Sequence, residues 1–372
     1  MAKKQRGAQE RLRVWIAGGG SGGHVIPALA IARQLVLSEN AEVRLVGTAR
    51  GMETRLVPAA GFPLDLVRVG QLNQVSLSTR LKTVSGAPLA VLSCIRMLRS
   101  FRPHVVLGVG GYASGPAMLA AILTGTPRVA FEPNAVPGMA NRIVGRWVQA
   151  AAVNFPDTLP YFRNAQVTGI PVRQEFFTLP ARPAGAPPQL LVFGGSQGAS
   201  LLNRLMPQIA ADLLEAVPGL TILHQCGAKH QEGTEQAYAR LISLRERWPN
   251  SWSVQPFLDD MPQRFAAASL VLCRSGASTV AELAAASKPS LLIPFPQSAD
   301  DHQRRNAEVL VNAGAAAMVL EPQLTNERLL AELIALLRDA HRLAGMGQKA
   351  HTLAHPDAIV RIVALITQQR PA

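Results

Sequence analysis

No run of apolar residues in this sequence reaches the length of about 18 that a membrane-spanning helix needs. The basic start, MAKKQRGAQERLR, leads into only a short apolar segment before glycines follow, so we expect no secretion signal. Cysteines are scarce as well: Cys94, Cys226 and Cys273 form no C-x-x-C pair. These absences disfavour a disulfide framework and a cysteine zinc site, and they fit a protein of the reducing cytosol.

Aromatic residues make up only 5% of the chain, although its formal net charge is +13. Surfaces that bind single-stranded nucleic acid interleave aromatic and basic side chains, and no such pattern is present here. The charge is therefore either an ordinary solvated basic surface or a sign that the protein binds an anionic lipid surface or a phosphorylated substrate, and a nucleic acid is disfavoured. A hydrophobic content of 48% over 372 residues indicates a folded protein with two domains of ordinary size.

Two strands that run into glycine-rich loops divide the chain into similar halves. The strand Leu12–Ala17 leads into the loop at 18–23, and Gln189–Phe193 leads into the loop at 194–199; a helix follows each loop. Such repeats predict two α/β domains with doubly wound parallel sheets. The predicted organisation comprises a basic tail at 1–10, a first domain at 11–175, a proline-rich linker at 176–188, a second domain at 189–350 and a C-terminal helix at 351–372.

The first glycine loop formally matches the dinucleotide motif G-x-G-x-x-G at Gly18, Gly20 and Gly23. The next strand, however, ends in Gly47-Thr48-Ala49, where a nicotinamide enzyme should place an acid that binds the ribose. This disfavours a dehydrogenase. What remains is a helix N-terminus that can accept an anion, with His24 beside it.

The stretch from Ser269 to Ala307 contains the densest set of candidate ligand-binding side chains. Thr279 and Glu282 have the spacing of a capping box, so the Glu282 carboxylate either caps its own helix or binds a ligand. Arg274 precedes that helix and Gln303 follows the next strand. A cation, backbone amides, a carboxylate and a side-chain amide are the groups that bind a nucleoside diphosphate sugar.

Several segments resemble the MurG family of GT-B glycosyltransferases, glycosyltransferase family 28. They are CRSGASTVAE and PFP…DDHQ…NA in the second half, GG-x-GGH at 19–24, and Ile170-Pro171-Val172-Arg173, which is similar to the family's N-P-V-R turn. Pro133 stands where the family usually has glutamine. The resemblance implies two Rossmann-like domains that face a cleft, with the C-terminal helix crossing back to the first domain.

The resemblance also implies an activity in peptidoglycan synthesis, and hence in cell-wall growth and cell division. N-acetylglucosamine would pass from UDP-N-acetylglucosamine, with inversion, to the 4-hydroxyl of an undecaprenyl-diphospho-muramyl-pentapeptide. His24 is the implied base, with Glu132 as the fallback. The implied UDP-sugar-binding residues are Ser21, Gly22, Gly23, Asn134 and Arg173 from the first half, and Ser196, Leu258, Arg274, Ala277, Ser278, Thr279, Val280, Ala281, Glu282 and Gln303 from the second.

We expect no obligatory metal or other cofactor, because no D-x-D motif lies in the loops assigned to the donor and helix dipoles with arginine can stabilise the leaving diphosphate. The segment Gln71–Lys82 mixes leucines with basic residues. It is either an ordinary core face or a patch that docks on the anionic cytoplasmic face of the inner membrane. The second reading predicts a peripheral membrane protein whose partners are the UDP-sugar, the lipid-linked acceptor and that membrane surface.

Two other functions remain open. A UDP-N-acetylglucosamine 2-epimerase shares this two-domain plan, but it needs no lipid acceptor and calls for additional acids that the sequence does not locate. A non-catalytic nucleotide-sugar sensor would explain the second half but would leave His24 and the first glycine loops without a role. Product analysis with and without the lipid acceptor separates the three functions.

Overall fold

The structure is a computed structural model that describes residues 10–371, except 21, 70–76, 184, 244–247 and 249. The side chains of residues 77–85 and 241–243 are also outside the described part. The donor contact predicted for Ser21 and the membrane patch predicted at Gln71–Lys82 therefore lie outside the described residues.

The chain forms two compact units. Unit 1 contains the residues up to Pro171 together with those from Asp357 onward, and unit 2 is Val172–Pro356. The C-terminal helix thus belongs to unit 1, which confirms the predicted return of the chain to its first half.

Unit 1 is built on a parallel sheet whose five central strands are mostly buried, whereas its two edge strands are partly exposed. The strands are β1 (Arg13–Gly18), β2 (Glu42–Gly47), β3 (Leu64–Leu66), β4 (Val105–Gly110), β5 (Arg128–Glu132), β6 (Ala150–Val153) and β7 (Ala165–Val167). In the described residues they form a seven-stranded sheet in the order β3-β2-β1-β4-β5-β6-β7. Their runs of valine, leucine and alanine suit this arrangement because a parallel sheet is covered by helices on both faces.

Helices connect successive strands of unit 1. They are α1 (Gly22–Glu39), α2 (Glu53–Ala59), α3 (Leu77–Phe101), α4 (Ser114–Leu123), α5 (Met139–Val144) and, at the end of the chain, α13 (Ala358–Thr367). Helix α13 packs on α1 and on β6. It does so through a buried stripe that includes Ile362, Val363 and Ile366.

Unit 2 repeats the same plan. Its strands are β8 (Gln189–Phe193), β9 (Thr221–Gln225), β10 (Trp252–Gln255), β11 (Leu270–Cys273), β12 (Ser290–Leu292) and β13 (Ala316–Met318). They form a parallel six-stranded sheet in the order β10-β9-β8-β11-β12-β13 among the residues described. The predicted class, two Rossmann-like parallel-sheet domains, is therefore confirmed.

The helices of unit 2 are α6 (Ser200–Ala216), α7 (Gln231–Ser243), α8 (Met261–Ala267), α9 (Ala277–Ala285), α10 (His302–Asn312), α11 (Asn326–Leu337) and α12 (Ala340–His351). Helix α12 contains Gly345 and Gly347, which lower helix propensity. Gly347 is required by packing, since a Cβ there would lie 2.6 Å from the carbonyl oxygen of Ser287. A close helix contact therefore explains a glycine that weakens the sequence signal for a helix.

The strand order identifies where each unit can bind a ligand. In unit 1 the connections that follow the adjacent strands β1 and β4 run toward opposite edges of the sheet. The same holds for the connections that follow β8 and β11 in unit 2. In such sheets the crevice lies at the carboxyl ends of the strands on either side of this switch point. All four strands run there into loops that contain glycine.

Candidate active site

The two glycine loops of unit 1 interlock at its switch point. A Cβ on Gly111 would lie 2.3 Å from the carbonyl oxygen of Gly19, and Gly111 has a φ of +81°. Both the close approach and the left-handed backbone therefore require glycine at this position. The loop after β1 and the loop after β4 form one tightly packed platform.

His24 is the third residue of α1 and lies half-buried beside this platform. A Cβ on Gly110 would come within 3.0 Å of ring atoms Cδ2 and Nε2 of His24. Gly110 also has a φ of +88°. The imidazole consequently lies over the carboxyl end of β4, at a spot that only glycine leaves open. Gly22 and Gly23 form the first turn of α1 just before it.

Glu132 is almost completely buried at the end of β5, with 2% of its surface exposed. One carboxylate oxygen accepts hydrogen bonds from the backbone N–H and side-chain Nδ2 of Asn134, at 3.0 and 3.2 Å. The other accepts from the Gly138 N–H at 3.1 Å and from Asn141 Nδ2 at 3.0 Å. Burial raises the pKa of Glu132, although these donors act in the opposite direction. The carboxylate therefore fixes the loop that carries Asn134.

Glu53 is a buried residue of unit 1 that the sequence did not predict as part of a site. It lies in the first turn of α2, and its carboxylate accepts from the N–H of Gly20 at 2.7 Å and from the N–H of Thr48 at 2.8 Å. The Thr48 hydroxyl donates to it as well, at 3.0 Å. The nearby Gly47 and Gly51 were the only sequence signal that could have pointed to it.

In unit 2 the capping box predicted for Thr279 and Glu282 is wrong. Helix α9 begins at Ala277, with Gly276 as its N-cap in extended conformation and no side-chain cap. Val280 donates its N–H to the carbonyl of Gly276 at 3.0 Å, which closes the first turn two residues earlier than the predicted start. Glu282 lies in the second turn, beyond the reach of the free N–H groups, and does not cap the helix.

The carboxyl group of Glu282 is therefore available to a ligand. Among the described residues no donor forms a hydrogen bond with it, and burial raises its pKa to about 7, with Arg173 acting in the opposite direction. Glu282 is nevertheless partly exposed to solvent. This combination is typical of functional carboxylates, which keep their polar atoms for a ligand.

Arg173 belongs to unit 2, not to the first half as predicted. Phe176, fully buried, packs edge-on against Phe265 of α8 with ring centroids 5.1 Å apart. The Arg173 guanidinium lies 5.1 Å from the centroid of the Phe176 ring. The packing of Phe176 on Phe265 attaches the turn after Pro171 to unit 2. It also places Arg173 close enough to Glu282 for its charge to act on the pKa of that carboxyl group.

Arg274 is committed to protein partners. Its Nη1 donates to the carbonyls of Ile293 and Pro294 at 3.1 and 3.2 Å, and it lies 2.6 Å from the carboxylate of Glu321. The guanidinium also lies 5.3 Å from the ring centroid of Phe295. In this arrangement Arg274 holds the β11 and β12 loops together, and the phosphate contact assigned to it stays a prediction.

Gln303, the second residue of α10, forms hydrogen bonds with the loops that follow β11 and β12. Its Oε1 accepts from the Phe295 N–H at 3.0 Å, and its carbonyl accepts from the Ser275 hydroxyl at 2.8 Å. Asp300 and Asp301, directly before α10, both have left-handed backbones, with φ of 52° and 53°. Successive non-glycine residues in this conformation are unusual, and such strain concentrates at functional loops.

The other donor residues predicted in unit 2 lie in loops that follow its strands and in the first turns of α9. Ser278 and Thr279 are half-exposed in the first turn of α9, and Ser278 Oγ has no hydrogen-bond partner among the described residues. Ala277 and Val280 are buried, so a ligand would meet their backbone, and Ala281 is half-buried. Ser196 is exposed in the loop between β8 and α6, and Leu258 is buried in the loop after β10.

The described residues contain no group of three or more His, Cys, Asp and Glu side chains that could hold a metal ion. None of the described helices is both long and apolar enough to cross a membrane. The three cysteines are buried free thiols.

Comparison with known proteins gives consistent results across nearly the whole chain. Residues 14–153 match the glycosyltransferase family 28 N-terminal domain, and residues 189–362 match the family's C-terminal domain. The chain is 42% identical to a UDP-N-acetylglucosamine--N-acetylmuramyl-(pentapeptide) pyrophosphoryl-undecaprenol N-acetylglucosamine transferase from Solibacter usitatus, over 95% of both chains. A protein of the same name from Stutzerimonas stutzeri is 43% identical, covering 94% of this chain and 96% of its own.

Comparison with solved structures leads to the same family. A crystal structure of Acinetobacter baumannii MurG superposes with a TM-score of 0.81 at 33% identity, covering 96% of this chain and 99% of the other. UDP-GlcNAc 2-epimerase from Neisseria meningitidis reaches a TM-score of 0.66 at 13% identity, covering 96% and 100%. That second likeness shows a shared fold and carries no argument about activity.

Proposed function

The chain belongs to glycosyltransferase family 28, and from that premise we infer that it transfers N-acetylglucosamine from UDP-N-acetylglucosamine to the lipid-linked muramyl-pentapeptide precursor of peptidoglycan. The curated relatives that share about two fifths of its residues carry this activity in their names. The reaction turns the acceptor into its disaccharide form and is a step of cell-wall synthesis.

The observation that carries this proposal is the arrangement at the start of α9. The first-turn amides and the unpartnered Ser278 hydroxyl stand at the carboxyl end of β11, where a helix N-terminus favours a phosphate. Glu282 lies one turn further on, with a carboxyl group that accepts no hydrogen bond from any described residue. These groups suit a nucleoside diphosphate, with the carboxylate on the ribose hydroxyls.

In the proposed reaction the 4-hydroxyl of the muramyl ring attacks the anomeric carbon while UDP leaves from the opposite face. The configuration inverts in this single step. His24 takes the hydroxyl proton, a contribution that is typically worth about 10²–10⁴-fold. Its place in the first turn of α1 disfavours a positive charge, so the ring can accept a proton near neutral pH.

We propose further that the leaving diphosphate is stabilised by the N-terminus of α9, without an obligatory metal. Fixed N–H dipoles that point at developing charge stabilise it with little reorganisation. Transfer should therefore continue at an unchanged rate after chelation with EDTA. A rate that falls with EDTA and returns with Mg²⁺ would contradict this proposal.

The decisive experiment uses labelled UDP-N-acetylglucosamine with and without the lipid-linked muramyl-pentapeptide. Release of UDP that depends on the acceptor, together with a labelled lipid disaccharide, is the expected result. An epimerised sugar in the absence of acceptor would identify the 2-epimerase instead. Binding without any product would identify the sensor.

We also propose that unit 1 docks on an anionic membrane surface. Met139, Ile143 and Trp147 recur every four residues along α5 and the turn after it, and all three are at least 40% exposed. Arg142 and Arg146 are exposed beside them. Exposed apolar side chains interleaved with arginines suit the boundary between lipid headgroups and acyl chains. These residues form a second candidate membrane-binding surface, in addition to the patch expected at Gln71–Lys82.

Vesicles that contain anionic lipid should bind the protein more strongly at low salt than at high salt, because ions screen exposed charges. The double variant Ile143→Ser with Trp147→Ser should weaken binding at least about tenfold, since burial of one large apolar side chain stabilises by about 1.5–3 kcal/mol. Sedimentation with vesicles measures both effects.

The matched control is Leu37→Ser, which removes an 81% exposed leucine from α1 and should leave vesicle binding unchanged. Binding that is independent of salt, or equal losses in the control and the double variant, would refute this docking surface.

A further inference from the structure

The glycine-rich loop of unit 1 encloses a carboxylate that belongs to the chain itself. We propose that Glu53 is a positioning residue that occupies the anion site of this loop and thereby fixes the platform beside His24. This inference rests on the proposed transferase function. It concerns a residue outside the predicted donor and acceptor groups.

Three glycines form a close-fitting cradle around the Glu53 carboxyl group. A Cβ on Gly19 would lie 2.3 Å from its Oε1, one on Gly51 would lie 1.9 Å from its Oε2, and one on Gly47 would lie 2.4 Å from its Cγ. No side chain larger than hydrogen fits at these positions while Glu53 stays in place. Gly19 lies in the loop after β1, Gly47 is the last residue of β2 and Gly51 lies in the loop after β2, so Glu53 joins the ends of two neighbouring strands.

The hydrogen bonds match a negatively charged occupant. Oε1 accepts from the N–H and hydroxyl of Thr48, and Oε2 accepts from the N–H of Gly20. Charge-assisted bonds of this kind are the strong ones in proteins. With 1% of its surface exposed, Glu53 makes them out of contact with water.

In a Rossmann-like unit the loop after the first strand typically gives its N–H groups to a ligand phosphate. Here the Gly20 N–H is already donated to Glu53, and Gly20 has the φ of +91° that its turn requires. An internal carboxylate thus takes the place of an external anion at this N–H. The formal G-x-G-x-x-G match in the first half is explained without a bound dinucleotide.

A short chain of contacts connects Glu53 to His24. The Gly19 backbone touches the Glu53 carboxylate on one side and Gly111 on the other. The neighbouring Gly110 lies against the His24 ring. A shift of the loop after β1 would therefore move the platform on which the imidazole rests. The simpler role for Glu53, an acid that only stabilises the N-terminus of α2, requires none of these contacts.

The test compares Glu53→Gln with the wild-type full-length enzyme. Glutamine has the same shape, but its NH₂ group must face one of the N–H donors, so the loop has to move. We expect kcat to fall about 10²-fold, the effect of misplacing a catalytic group by about 1 Å. Titration with UDP should show affinity within twofold of the wild type, because the groups proposed to bind the nucleoside diphosphate, the N-terminus of α9 and Glu282, belong to unit 2.

A second variant makes the role of the carboxylate explicit. Glu53→Ala leaves a space lined by glycines and by the N–H groups of Gly20 and Thr48, into which formate fits. Formate should restore kcat in a saturable manner, whereas chloride at equal ionic strength should not. The matched control is Asp65→Asn, a unit 1 acid that accepts instead from Trp15 Nε1 at 2.9 Å and should leave kcat unchanged.

Two results would overturn the inference. One is a kcat for Glu53→Gln within twofold of the wild type. The other is a parallel loss of kcat and UDP affinity in both Glu53 variants without formate rescue, which is the pattern of general unfolding. If the wild-type enzyme transfers no sugar, the proposed function fails; if it is active and Glu53→Gln is equally active, this inference alone fails.

Discussion

Replacing His24 with alanine is expected to lower kcat by about 10²–10⁴-fold while UDP-sugar affinity stays within a few-fold of the wild type. The reason is that the proposed base and the groups proposed to bind the nucleoside diphosphate lie in different units. His24 belongs to the first turn of α1 in unit 1, whereas Glu282 and the α9 N-terminus belong to unit 2. Loss of a base affects the chemical step and leaves the groups assigned to the donor intact.

The pH dependence provides an independent measurement. With His24 as base, the rate of the wild type should rise with pH through a single ionisation on the acidic side, because only the neutral ring accepts a proton. The His24→Ala variant should lack this limb. His104→Ala is the matched control, since this histidine of unit 1 accepts from the Arg13 N–H at 2.9 Å and should not alter kcat.

Glu132 is the competing base, and its surroundings predict a different result. Four hydrogen bonds and nearly complete burial tie its carboxylate to the loop that carries Asn134 and Gly138. Glu132→Gln should therefore destabilise that loop and leave the acidic limb in place. If Glu132→Gln instead abolishes both turnover and the limb while His24→Ala keeps them, then Glu132 is the base and His24 only shapes the loop.

The fold was predictable because its signals are local. Buried strands such as Gln189–Phe193 read as short continuous apolar runs, and the glycine loop after each first strand marks the start of a doubly wound unit. Helix α12 was not predicted because it contains two glycines, and one of them, Gly347, is required by a packing contact with Ser287, which lies far away in the sequence. Propensity alone does not contain that information.

The site was harder to predict because its contacts are long-range. The loop carrying Gly20 meets Glu53 only after β2 has paired with β1, and no spacing rule connects the two residues. Arg173 joins unit 2 through the packing of Phe176 on Phe265, which the turn motif alone does not reveal. The start of α9 was misplaced because a serine- and threonine-rich first turn resembles a cap, while Gly276 takes the cap position.

Glu282→Gln is expected to weaken UDP-sugar binding by about 1–3 kcal/mol, because a charge-assisted contact with the ribose is lost. This equals roughly a 5- to 150-fold rise in Kd. Because Glu282 does not cap α9, the substitution should leave the helix intact. Isothermal titration of the donor and thermal unfolding, measured on the same samples, separate the two effects.

The raised pKa of Glu282 determines whether stability and donor affinity rise or fall with pH. Burial holds its pKa at about 7 in the folded chain, above the value of 4.5 for an unperturbed carboxyl. Between these two values the folded state binds more protons than the unfolded state, so the contribution of this group to stability falls as pH rises. The Glu282→Gln variant lacks this pH-dependent contribution. Its free energy of unfolding, measured relative to that of the wild type, should therefore increase from pH 5 to about pH 8.

Donor affinity should change with pH in the opposite direction. The ionised carboxylate is the better acceptor for ribose hydroxyls, so wild-type affinity should rise as pH increases through about 7, whereas the glutamine variant should show a flat profile. The matched control is Glu308→Gln in the same unit, whose carboxylate pairs with Arg304 and Arg305. If Glu282→Gln leaves donor affinity and its pH profile unchanged while the control behaves as expected, the ribose contact must be assigned to another residue.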